Sequence, residues 1–337
     1  MVFSEVFLKT KPPPTLYQNI SHQCLNLCLI ISKNPTILVY MYIFFILIMF
    51  VTNQPAMIIV SESGKGLSKD SDRGNNKNEK YLLIGDIHLG LTSDLRRKGV
   101  SVTSQVKDFV ARIKSLRKQT KATHIVMIGD VKHKVTGVSW QEEREIPEFL
   151  SELSKMFKKI IIVKGNHDGH IEKLVKMTDF SHEKSIISPD KIKNKIRVVK
   201  SLVIGDYFIT HGHRTIKTNK SHIIIGHNQP AVKLRDRIGV SYILPCWIIG
   251  PIITSFSSQK NTKKLVKGQI SRKENKYPQQ ELIIMPAFNP LSGSGIVNEN
   301  EILGPVAKYL DKEKATVHLL DGTDIGLLKD LKIRNCD

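Results

Sequence analysis

Asp86 and His88 stand two residues apart in Tyr81–Gly90 (YLLIGDIHLG), directly after a short apolar run that breaks at Gly85. In extended backbone, side chains at i and i+2 project the same way, so this pair can hold one cation. The pattern recurs downstream. Asp130 follows His124–Ile128 (HIVMI), Asn166, His167 and Asp168 follow Ile160–Val163, His211 and His213 follow Tyr207–Thr210, and His227 follows His222–Ile225. These are oxygen and imidazole donors without a thiolate, which suits Mn, Mg, Fe, Ni or Zn in a working site better than a structural zinc. Asp86, Asp130, Asn166, His88, His211 and His227 are too many for one ion. They match a pair of ions bridged by one carboxylate.

The elements that must position these residues follow from periodicity. Val102–Leu116 carries apolar residues at helical spacing, and so does Glu145–Phe157. With the strands Tyr81–Ile84, His124–Ile128 and Ile160–Val163 they alternate β-α-β-α-β. That argues for an α/β fold with neighbouring parallel strands at its centre. In such sheets the loops at the strand carboxyl ends gather along one edge, where ligands bind. The second half is richer in strands. Arg197–Ile204 and Tyr207–Thr210 suggest a hairpin around Gly205-Asp206, Glu281–Met285 a further strand, and Ala315–Leu320 with Ile325–Leu328 a final hairpin. Ser257–Lys276 is polar and reads as a mobile loop.

The chain has 337 residues, enough for one large domain or two small ones, and an ordinary apolar fraction of 41%. Its 51 Lys and Arg against 31 acids give a formal charge of +20, which points to an anionic partner. The basic segments Lys184–Lys200 and Lys260–Lys276 fit a nucleic-acid track or an ordinary solvated face. Cys24, Cys28, Cys246 and Cys336 form no CxxC pair. This excludes a disulfide framework of regular spacing and fits a reducing, cytoplasmic compartment.

Residues 1–56 read as an N-terminal extension. Within it Thr36–Val51 (TILVYMYIFFILIMFV) is a run of sixteen residues without charge. A spanning helix takes about 20 apolar residues. Two readings stand side by side: a membrane tether through 36–51 that leaves the following domain on the cytoplasmic side by its flanking Lys and Arg, or a start at Met57 with the extension absent from the working protein. Residues 57–80 are expected to be a flexible linker and 81–330 the catalytic domain.

The ordered set GDIH, GD, GNHD, THGH and GH resembles the calcineurin-like metallophosphoesterase superfamily over about Tyr81–Gly295. Gly129–His133 (GDVKH), Gly226–Leu234 (GHNQPAVKL) and Met285–Gly293 (MPAFNPLSG) look most like archaeal phosphoesterases related to the Mre11/SbcD nucleases and like the bacterial DNA-ligase-associated phosphoesterase. The resemblance implies a sandwich of two mixed β-sheets packed face to face and flanked by helices. It also implies two divalent metal ions, Mn foremost and Mg, Ni, Fe or Zn as alternatives. By position, Asp86 and His88 would bind the first metal, Asp130 would bridge, and Asn166, His211 and His227 would bind the second. His167 would stand over the leaving group, with Asp168 orienting it. The family usually completes the first metal with a His where this chain has Gln229. A neutral carbonyl oxygen there implies weaker binding and a turn toward harder ions; the alternative is a plain loop residue with water in its place. His213 could orient a ligand or be a surface His, and Lys132 and His133 could line a phosphate pocket or be solvated.

The leading expectation is a metal-dependent phosphodiesterase or nuclease acting on nucleic acid. Hydrolysis of small phosphoesters such as cyclic nucleotides is the alternative within the same chemistry. A membrane-tethered binding protein with a decayed site is the alternative outside it, and Gln229 is the feature that favours it.

Overall fold

The computed structural model describes residues 50–61, 79–178, 195–253, 280–302 and 304–331. Met1–Phe50 and Val51–Asp337 separate into two units, and everything below concerns the second. Candidate span 36–51 lies outside the described residues except for Phe50 and Val51, and so do Lys184–Asn194 and Lys260–Lys276. No helix among the described residues is long and apolar enough to cross a membrane.

The first sheet runs β1 (Met57–Ser61), β2 (Glu79–Gly85), β3 (His124–Ile128), β4 (Lys159–Val163) and β5 (Ile196–Val199) in that order. β2 to β5 are parallel, with Leu83, Val126 and Ile161 in register, and β1 lies antiparallel on the β2 edge. Parallel strands covered on both faces need unbroken apolar runs, and the fully buried HIVMI of β3 supplies one. Leu82, Ile84, Ile125, Met127, Ile160 and Ile162 meet α2 (Val106–Thr120) and α3 (Trp140–Met156) through Phe109, Ile113, Leu116, Phe149 and Leu153. Leu83, Val126, Ile128, Ile161 and Val163, one residue out of phase, are buried on the opposite face. Two short helices complete this half: α1 (Leu91–Arg97) and α4 (Ile171–Lys176).

The second sheet has the strands β6 (Leu202–Ile204), β7 (Tyr207–Ile209), β8 (His222–Ile225), β9 (Pro230–Arg235), β10 (Ser241–Pro251), β11 (Glu281–Ile284), β12 (Gly295–Ile296), β13 (Thr316–Leu319) and β14 (Asp324–Leu327). Their spatial order is β12-β9-β10-β11-β8-β7-β6, with β13 and β14 branching from β10. β7, β8 and β11 are parallel, and the rest pair antiparallel except β12 with β9. Both sheets are therefore mixed, as expected, with helices on the first. Their carboxyl edges are tied together by the Phe288 amide, just past β11, which donates to the Gly85 carbonyl of β2 at 2.8 Å.

Three sequence-based boundaries need correction. Met57–Ser61, expected to begin the linker, is an edge strand, because Met57, Ile58, Ile59 and Val60 are apolar or β-branched and pair with Tyr81 to Leu83 and Lys80. Val51 and Ala56 are buried in the same core, so the fold begins before Tyr81. Arg197–Ile204 is not one arm of a hairpin: Ile196–Val199 joins β4, and only Leu202–Ile204 pairs with β7. The helix expected from Glu145 starts at Trp140. Ser139 accepts from the Glu142 amide and the Glu142 carboxylate accepts from the Ser139 amide, a reciprocal cap legible as Ser-x-x-Glu.

Candidate metal centre

Asp86, His88, Asp130, His227 and Gln229 all have left-handed backbone, with φ of 53°, 49°, 47°, 67° and 46°. Non-glycine residues rarely adopt this region, and such strain concentrates where a chain must aim side chains at one point. Each tip leaves a strand carboxyl end, which fulfils the expected arrangement. The tips also crowd. A Cβ on Gly129 would collide with the His211 ring, and one on Gly165 with the Asp130 carboxylate, so only glycine fits at either position.

Asp130 lies at the middle. Its Oδ2 is 3.2 Å from His211 Nε2, 3.8 Å from His88 Nε2 and 3.8 Å from His167 Nε2. Its Oδ1 accepts from the His167 amide at 2.9 Å. Two donor groups share it: Asp86, His88 and Asp130 on one side, Asp130, His211 and His227 on the other.

The second group shows what it is built to hold. His211 Nδ1 donates to the Ile128 carbonyl at 3.1 Å, which leaves Nε2 with a lone pair in the neutral ring. That Nε2 faces Asp130 Oδ2, Asn166 Oδ1 and His227 Nδ1, each at 3.2 Å. Four lone pairs converging on one point repel unless a cation or a proton sits among them. Without a metal the proton takes that place. Burial lowers the His211 pKa, but the hydrogen bond to Asp130 and the Asp86 and Asp130 charges raise it to about 9. Burial pushes Asp130 up, yet its bond to His211 and the His211 charge hold it below the usual carboxylate range.

On the first side, burial pushes Asp86 up to about 7 and His88 down to about 3, so His88 is the neutral imidazole that can ligate. Gln229 is satisfied with its amide turned so that its NH2 donates to Ser292 O at 3.2 Å, Ser292 Oγ at 3.1 Å and Gly293 O at 3.3 Å. Its carbonyl oxygen then lies 2.9 Å from His88 Nε2, on the side of Asp86 Oδ1. The residues present fit a pair of divalent cations, and the Gln229 carbonyl oxygen is placed where it could serve the first ion as a neutral donor. Replacing it should show this directly. Gln229→His is expected to tighten the weaker ion by about tenfold in a calorimetric titration, the lower end of what changes around a metal site usually do. An unchanged titration would mean that the Gln229 amide does not face the ion.

His167 lies beside this group, with Nε2 3.8 Å from Asp130 Oδ2. Its ring is held by Nδ1 on the His133 carbonyl, and its Nε2 points at Asp130. Asp168, expected to orient His167, makes other contacts. It is fully buried and accepts from the Val131 amide at 2.9 Å, the Lys132 amide at 3.2 Å and the Gly165 amide at 2.8 Å. It fastens the Asp130 loop to the Asn166 loop, so it reaches the reaction through backbone and not through the His167 ring. Lys132 does not line a pocket: it is fully buried with Nζ on the Lys134 carbonyl. His213 hydrogen-bonds no ligand. Both its ring nitrogens are buried without a partner, 5.3 Å from the His211 ring by centroid, and burial next to His211 pushes it down to about 4.

Two positioning residues escaped the sequence reading. Glu142 is fully buried and its Oε1 accepts from the His133 and Lys134 amides at 3.0 and 2.7 Å, fixing the carbonyl that holds His167. Asn289 is buried beside the Asp86 loop and donates to the Ile87 carbonyl at 2.9 Å. Its only signal was its place within MPAFNPLSG.

This fold and centre define a metal-dependent hydrolase of phosphoester bonds. The chain belongs to the calcineurin-like phosphoesterase family, whose model matches residues 79–310. A crystal structure of the Pseudomonas putida nuclease MPE aligns with it at 16% identity and a TM-score of 0.38, covering 73% of this chain and 87% of that one. No curated protein matches the chain.

Proposed function

We propose that the chain is a two-metal phosphodiesterase that cuts nucleic acid. The observation that carries the two-metal part is Asp130, whose carboxylate belongs to both donor groups at once. Asp86, His88 and Gln229 would hold one ion, Asn166, His211 and His227 the other. Cations bound there supply Lewis acidity toward phosphoryl oxygens and a water of lowered pKa. The mixture of carboxylate, imidazole and neutral carbonyl donors favours Mn, with Mg next.

The chain's own residues do the rest. His133 and Glu142 fix the His167 ring so that Nε2 faces the reacting phosphate, where its protonated form hands a proton to the leaving oxygen. A cavity of about 360 Å³ opens next to His227, with Asn228, Ile296, Asn300 and Ile302 among its walls. It is large enough for one nucleoside-sized group on the scissile phosphate.

Nucleic acid is favoured by the formal charge of +20. A cytoplasmic place for the domain belongs to the same proposal and is supported by Cys246, a buried free thiol. The test is metal analysis of the full chain together with a substrate panel of bis-p-nitrophenyl phosphate, cyclic nucleotides, and single- and double-stranded DNA. DNA cleavage with Mn²⁺ and about two ions per chain is expected. Turnover confined to cyclic nucleotides would replace the polymer with a small ester, and no turnover of any diester would remove the proposal.

A further inference from the structure

The strand registers place a projecting ribbon on the same side as the metal centre. Ile225 of β8 is in register with Ile284 of β11, and Ile284 with Ile248 of β10. Two residues past Ile225 comes His227, so Cys246 lies at its level. β10 runs antiparallel to β8, and from Cys246 back to Ser241 it continues beyond the edge where the ligands gather. Those five residues span about 17 Å at strand rise. From Ser241 to Pro245 its partner is β9, which leaves directly from Gln229. β12 joins at Pro230 and Ala231, so the base is broader than the tip.

The ribbon's surface does not suit water alone. Ile238 at the turn is 86% exposed, and Tyr242 and Ile243 are 50% and 52% exposed. Asp236 organises the turn by accepting from the Ile238 and Val240 amides at 3.0 and 2.9 Å, and from the Tyr242 hydroxyl at 3.3 Å. Arg235 and Arg237 flank it, and neither forms an ion pair among the described residues, whereas Lys233 is engaged by Glu299. Exposed apolar and aromatic groups beside guanidinium groups without an ion-pair partner among the described residues mark a docking surface. Their chemistry matches unstacked bases next to phosphates: rings and apolar wedges take the base faces, and arginines take the backbone.

We propose that the β9–β10 ribbon holds a single-stranded stretch of nucleic acid beside the metal centre. Ile238 and Tyr242 lie against unstacked bases, and Arg235 and Arg237 on the phosphates. The ribbon's reach of about 17 Å is several times the stacked step of about 3.4 Å, so it spans more than one nucleotide and a strand gripped there leads into the centre. This deepens the nucleic-acid reading and rests on it. A membrane surface is the competing occupant. Nucleic acid is favoured because the ribbon stands on the side where a phosphodiester would be cut.

The experiment uses the full chain with Ile238→Ser/Tyr242→Ser and Arg235→Ser/Arg237→Ser. Binding to a labelled single-stranded oligonucleotide is read by fluorescence anisotropy in EDTA, and bis-p-nitrophenyl phosphate turnover with Mn²⁺ is read in parallel. Each pair should weaken oligonucleotide binding by about tenfold or more while small-ester turnover stays at the wild-type level. The arginine pair should also lower the salt slope by about 1.4, at about 0.7 per lost phosphate contact. Wild-type affinity in both variants would overturn the ribbon's role and leave the substrate reading standing. A wild-type protein that binds no oligonucleotide would end both. Loss of binding to phosphatidylserine vesicles, with oligonucleotide affinity unchanged, would assign the ribbon to a membrane and overturn the proposal.

Discussion

Asp130→Asn is expected to lower diester turnover by a factor on the order of a thousand or more, because one substitution weakens both ions together. The asparagine keeps the shape and an oxygen for the His167 amide that now donates at 2.9 Å. What disappears is the negative charge facing His211 at 3.2 Å and His88 at 3.8 Å. Without it the His211 ring loses the main support for its raised pKa and falls toward the ordinary imidazole value. The fold should survive, since the buried apolar layers around Ile128 and Ile162 are untouched. Metal-to-protein ratio is the decisive readout, with circular dichroism as control. A folded variant that keeps both ions would show that Asp130 is not shared.

The second large effect is kinetic and should leave the ions alone. His167→Ala removes a ring whose Nε2 lies 3.8 Å from Asp130 Oδ2, but the residue's amide still donates to Asp130 Oδ1. Turnover should fall by about a hundredfold to ten-thousandfold, the usual worth of a positioned acid. The fall should depend on the leaving group. Nitrophenolate departs without a proton and should suffer least, whereas a sugar hydroxyl needs one and should suffer most. Metal analysis of the same variant is the check: lost metal would make His167 a structural residue, and equal losses on both substrates would remove its role as acid.

The meeting of the candidate ligand side chains was legible because each follows an unbroken apolar run in a fixed order, and the ends of parallel strands gather along one edge. Asp86, Asp130 and His211 could be placed from that alone. Asp168 could not, because its partners are backbone amides, which every residue possesses and no pattern reveals. The anchoring of the Gln229 amide by Ser292 and Gly293 was hidden for the same reason. Glu142 half showed itself, as the closing residue of a helix cap, but its grip on the His133 loop depends on a fold the cap does not encode. β9 and β10 went unread because their outer halves are exposed on both faces and lack the alternation that betrays a half-buried strand. β1 was masked by the long polar segment that follows it.

The antiparallel strand along β2 bears on how the protein is handled. Met57–Ser61 satisfies the outer amides and carbonyls of Tyr81 to Leu83, a neighbourhood of buried apolar side chains. A recombinant version trimmed to Tyr81 would present that row bare, and bare rows of this kind recruit other copies of themselves. Expression boundaries that spare Val51 onward should give monodisperse material on a sizing column. Those that cut closer should give self-associated protein, whatever the state of its metal ligands.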